Sequence, residues 1–115
     1  MMEYPPDSWV ILKITPLDNP VHYKVLGGWS GGYLQGDSWK LNSGIINVQE
    51  DETYFYFSGY SGSVYKVRKT AERFNNIMSA MYNAFKGAHG DCVTQISVKE
   101  FLDEFESEKE NYQDW

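Results

Sequence analysis

Two periods of apolar residues divide this 115-residue chain. Before about residue 70 they come in runs or at every second position, the signature of strands; beyond it they recur every three to four, the signature of helices. Trp9-Val10-Ile11-Leu12-Lys13-Ile14-Thr15 is an apolar, β-branched run that predicts a buried strand, broken by the turn formers Pro16-Leu17-Asp18-Asn19-Pro20. Residues 21–26 then alternate, with Val21, Tyr23 and Val25 on one face and His22 and Lys24 on the other. Residues 38–41 and 44–50 read as a third strand, bent or bulged near Gly44. Asp51-Glu52 predicts a tight hairpin turn into Thr53-Tyr54-Phe55-Tyr56-Phe57, whose four consecutive rings suit a pleated strand and would crowd a helix. Residues 64–69 alternate again, Tyr65 and Val67 against Lys66 and Arg68.

The helical period starts with Phe74, Ile77, Met78, Met81 and Phe85, which fall on one face of an amphipathic helix. Thr70 is the expected N-cap and Gly87 the expected stop. Asn75, Asn76, Ser79 and Asn83 give this helix a polar face of small uncharged residues. Gly90-Asp91 turns the chain, and residues 92–96 predict a short strand. Ser97 followed by Glu100 has the spacing of a capping box, and Val98, Phe101, Leu102 and Phe105 supply the apolar stripe of a second helix. The expected fold is α+β: a four- to five-stranded, mainly antiparallel sheet followed by two helices packed on it. The chain reads as one domain over residues 1–115, with flexible ends at 1–8 and 107–115.

Between the strands the chain twice writes glycine, aromatic, serine, glycine: Gly28-Trp29-Ser30-Gly31-Gly32-Tyr33 and Gly59-Tyr60-Ser61-Gly62-Ser63-Val64-Tyr65. Gly36-Asp37-Ser38-Trp39-Lys40-Leu41 lies between them. Neither segment precedes a helix, and neither has the lysine of a phosphate-binding loop. One reading makes them hairpin turns or bulged strand ends, with glycines for positive φ and rings packed on the sheet. The other makes Trp29, Tyr33, Trp39 and Tyr60 an aromatic patch for a partner or a flat ligand, with Ser30, Asp37 and Ser61 as polar contacts.

Composition narrows the function classes. Apolar residues are 42% and aromatics 17%, enough to build a core. No apolar run reaches the roughly 20 residues that span a bilayer, and the first residues lack the pattern of a secretory signal. The net charge is −6, which argues against direct nucleic-acid binding and favours either a basic protein partner or nothing beyond solubility. Acids crowd the C-terminal helix, either as a plain solvated face or with Glu104, Glu106 and Glu108 as the candidates for steering such a partner. The single cysteine, Cys92, excludes an intrachain disulfide and fits a reducing compartment.

Catalytic residue types cluster only at His89-Gly90-Asp91-Cys92, and His22 is the one other histidine. A thiol nucleophile needs a base within hydrogen-bond reach, which this spacing does not itself provide. Cys92 otherwise reads as a small apolar residue entering a strand. One cysteine and two scattered histidines give no zinc-site spacing, and the acids lack EF-hand order. The expectation is therefore a binding protein without catalytic, metal or cofactor sites, with self-association left open.

The segments Gly28-Trp29-Ser30-Gly31-Gly32-Tyr33, Gly36-Asp37-Ser38-Trp39-Lys40-Leu41-Asn42-Ser43-Gly44-Ile45 and Gly59-Tyr60-Ser61-Gly62-Ser63-Val64-Tyr65-Lys66 resemble short accessory proteins of tailed bacteriophages. The helical, acidic C-terminal part is generally similar to small phage inhibitors of the anti-CRISPR type. The resemblance implies a phage protein in the host cytoplasm that occludes a host defence or regulatory protein. It carries over no functional residue.

Overall fold

A computed structural model describes residues 2–31 and 36–113, with side chains described as far as residue 107. Its elements are β1 (Glu3–Tyr4), β2 (Ser8–Ile14), β3 (His22–Trp29), β4 (Ser38–Leu41), β5 (Ile45–Glu50), β6 (Tyr54–Gly59), β7 (Val64–Arg68), α1 (Asn76–His89), β8 (Val93–Ile96) and α2 (Val98–Gln113). The class is α+β, mainly antiparallel, as the sequence predicts. The strands, however, divide between two four-stranded sheets, ordered β4-β3-β2-β8 and β1-β7-β6-β5. Among the described strands, only β1 pairs with a neighbouring strand in parallel, with β7.

The division follows from β2. Trp9, Val10, Ile11 and Leu12 are all essentially fully buried, so this strand needs cover on both faces. Trp9 and Ile11 join Tyr23 and Val25 of β3 and meet Phe55, Phe57, Tyr65 and Val67 of the second sheet. Val10 and Leu12 join Leu26 and meet Met78 of α1. The layers are therefore sheet, sheet, helix, with the first-named sheet in the middle. Helix α2 closes the inter-sheet core with Phe101 and Phe105, and the Phe101 ring lies 5.8 Å from that of Phe57. The indole N–H of Trp9 crosses the same core to donate to the Arg68 carbonyl at 2.7 Å. Burial, with a smaller contribution from Tyr4, pushes the Tyr65 hydroxyl up to about 12.

Residues 38–50 are not one bent strand. β4 pairs with β3 in the middle sheet and β5 with β6 in the other, and Asn42-Ser43-Gly44 carries the chain between them. Asn42 makes the crossing possible. Its N–H donates to the Val25 carbonyl at 3.0 Å, and its Oδ1 accepts from the Val25 N–H at 2.8 Å. The side chain thus satisfies β3 where β4 departs. A bulge between Ile45 and Asn47 follows.

The limits of α1 also differ from expectation. Thr70 lies in a 3₁₀ turn at Lys69–Ala71, and Asn75 is the N-cap, its Oδ1 accepting from the Met78 N–H at 2.9 Å. The intervening chain is held extended, because Glu72 bridges to Trp9 and the Arg73 N–H donates to the Trp9 carbonyl. A helix can start only beyond that pairing. At the far end Gly87 stays helical, and Gly90, at φ 57°, ends the helix. The capping serine of α2 is in place: Ser97 Oγ accepts from the Glu100 N–H at 3.1 Å. Glu72 adds a second cap by accepting from the Val98 N–H at 2.7 Å.

Candidate functional site

The glycine that opens each repeated segment serves close approach, and neither has a positive φ. A Cβ on Gly28 would stand 2.5 Å from Met78 Sδ and 2.7 Å from Asn75 Nδ2, so a bare backbone lets α1 settle on β3. A Cβ on Gly59 would stand 2.7 Å from Ser43 Oγ, where the inter-sheet crossing passes β6. Among the described residues of these segments, the expected positive φ occurs at Gly62, in the β6–β7 turn.

The rings and polar residues after these glycines separate into distinct places. Trp29, at the end of β3, is partly buried. Ser30 is exposed, and its N–H donates to Asp7 Oδ2 at 2.9 Å. Asp37 accepts from the Gly31 N–H at 3.2 Å. Trp39, on edge strand β4, packs edge-on against Phe85 of α1 and remains 37% exposed. Trp29, Ser30, Ser38 and Trp39, with Tyr4 and Lys40, line a shallow cavity of about 510 Å³. The Lys40 ammonium lies 4.8 Å from the Tyr4 ring centre.

Tyr60 and Ser61 do not line that cavity. Tyr60 is 72% exposed and rests against Gly44. The Ser61 N–H donates to Ser43 Oγ at 2.9 Å and ties the turn to the crossing. Trp39 thus precedes the Asn42-Ser43-Gly44 segment on β4 and packs toward α1, while Tyr60 rests against the last residue of that segment. Tyr33 lies outside the described residues.

The acidic helix occupies a different end. Glu104 Oε1 accepts from Lys13 Nζ at 2.6 Å and from the Tyr23 hydroxyl at 3.0 Å. Burial pushes this carboxyl up, but the hydrogen bonds from Lys13 and Tyr23 outweigh it and hold the group below its ordinary value. Glu104 is therefore engaged within the fold. Tyr23 precedes Trp29 by six strand positions, roughly 20 Å. Glu100, Asp103 and Glu106 are exposed and recur every third residue, forming one acidic strip. The Glu108 side chain lies outside the described residues.

A third place was not legible in the sequence. His22, His89 and Cys92, distant along the chain, all line one cavity of about 560 Å³ between the middle sheet and the last turn of α1. The strand alternation that puts His22 and Lys24 on one face of β3 was visible; which layer that face meets was not. Among the described residues no group of three or more His, Cys, Asp or Glu side chains is placed to hold a metal ion. No helix among them is long and apolar enough to cross a membrane. Comparison with known protein families, curated proteins and solved structures finds no match to this chain.

Proposed function

We propose that this chain is a non-enzymatic binding protein that engages the basic surface of a protein partner and acts by occluding it. The observation that carries the reading is two exposed rings, Trp39 on β4 and Tyr60 in the β6–β7 turn. Large, rigid side chains of this kind bury much area with few rotors to freeze, which is why they anchor interfaces. The net charge of −6 and the strip of Glu100, Asp103 and Glu106 favour a basic partner. The phage resemblance supplies a setting in which the partner is a host defence or regulatory protein. The test is affinity capture from bacterial lysate at low salt, identification of the captured protein, and direct titration of the purified pair. Equal affinity for the wild type and a Trp39→Ala/Tyr60→Ala variant would sink the proposal.

A second reading rests on the cavity bounded by Trp29 and Trp39: sequestration of a small flat ligand, such as a nucleotide signal, stacked on the indoles. Tryptophan fluorescence across a nucleotide panel tests it, and the absence of quenching by every member would rule it out.

A further inference from the structure

The cavity of about 560 Å³ beneath the end of α1 has a sequence origin. The apolar stripe of α1 ends at Phe85, and its last turn reads Lys86-Gly87-Ala88-His89. No large apolar side chain follows to cover the middle sheet, so Leu12, Ile14 and Val93 are left as the floor of an open pocket. Its size is that of a small-molecule site, and its lining is mainly apolar. At its rim stands Leu17, 92% exposed.

The polar side of the pocket has a defined chemistry. In the β2–β3 register Lys24 lies opposite Leu12 and His22 opposite Ile14, so both project from the sheet face that α1 covers. Lys24 is half-buried and, among the described residues, is held in no hydrogen bond or ion pair. A partly desolvated ammonium on an apolar wall is unfavourable until an anion meets it. His22 and His89 stand on the same lining, while its acid, Asp18, is exposed.

We infer that this pocket is a binding site for an amphipathic carboxylate, an aliphatic chain on the Leu12–Ile14–Val93 floor with its carboxylate at Lys24. The pocket adjoins Trp39, whose ring packs on the lining residue Phe85, but its failure would leave the proposed protein-binding function untouched. Cys92 lines the pocket and is the only thiol in the chain, so its alkylation rate reports occupancy.

The experiment measures alkylation of Cys92 by iodoacetamide in the full chain with octanoate, octanol or octylammonium, the ionic amphiphiles below their micellar concentrations and octanol below its solubility limit. Octanoate is expected to slow the reaction at concentrations where octylammonium and octanol do not. Hexanoate, two methylenes shorter, should need roughly tenfold more. Lys24→Met should raise the octanoate requirement about tenfold and leave the weak effect of octanol unchanged. Lys24→Gln, checked for a native circular dichroism spectrum, repeats that measurement should the methionine variant fold poorly. Absence of protection by octanoate overturns the site. Equal protection by all three amphiphiles, or an unchanged requirement in both Lys24 variants, overturns the carboxylate.

Discussion

Single carboxylates fix two junctions of this fold. Asp51 holds the β5–β6 hairpin: its Oδ1 accepts from the N–H groups of Tyr54 at 2.7 Å and Thr53 at 2.8 Å, and its Oδ2 from the Tyr56 hydroxyl at 2.8 Å. Those bonds, the Tyr54 N–H first, hold its carboxyl below the ordinary value of 3.8. A depressed folded pKa gives a stabilisation that is fully present above the unfolded value and is lost as pH falls through the folded one. Urea unfolding of the wild type between pH 2 and 6 should therefore show a decline below about pH 4 that is shallower in Asp51→Asn. An identical decline in both proteins would argue against the hairpin role. Glu104 follows the same sign, because the Lys13 and Tyr23 bonds outweigh burial. Glu104→Gln should destabilise by about 1 kcal/mol at pH 7, read from the urea midpoint, since Tyr23 keeps an acceptor while the ion pair is lost.

The elements owe their limits to neighbours as much as to local preference. Helix α1 is readable from its apolar stripe, but its start is delayed by the pairing of Glu72 and Arg73 with Trp9. The two glycines that punctuate β3 and α1 make opposite predictions. Gly28→Ala places a methyl against Met78 Sδ and should cost about 1–3 kcal/mol; combining it with Met78→Ala should cost less than the sum of the single changes. Gly87→Ala meets nothing within 4 Å in the interior of α1 and should stabilise by about 0.5–1 kcal/mol. Thermal and urea melts of the four variants decide both.

At the scale of the molecule, the aromatic and the acidic candidates, two separate groups along the chain, also lie at separate places in the fold. Trp39 and Tyr60 belong to the crossing side, and the acidic strip of α2 belongs to the end marked by Tyr23 and Lys13. The proposed basic partner should therefore show separable contributions. Trp39→Ala/Tyr60→Ala should weaken binding by about 2 kcal/mol or more through faster dissociation. Neutralising Glu100, Asp103 and Glu106 should mainly slow association and flatten its salt dependence. Stopped-flow association rates at several salt concentrations distinguish the two; a salt-independent rate in the wild type would remove the acidic strip from the interface.

The periodicity of the chain by itself determined most of the elements. The switch from alternation to a three-to-four spacing reflects backbone geometry that each segment carries locally, so the strands flanking Asp51, the stripe of α1 and the capping serine of α2 were all legible. The layering was decided only by the tertiary structure. Alternation tells which residues share a face of a strand but not what that face meets. Residues 38–50 became strands of two sheets because the Asn42 side chain completes the pairing of β3, a contact made across a turn of the fold. The same reason separates Trp39 from the acidic helix and brings His22, Lys24, His89 and Cys92 to one cavity. Proximity between layers arises from packing that no local spacing encodes.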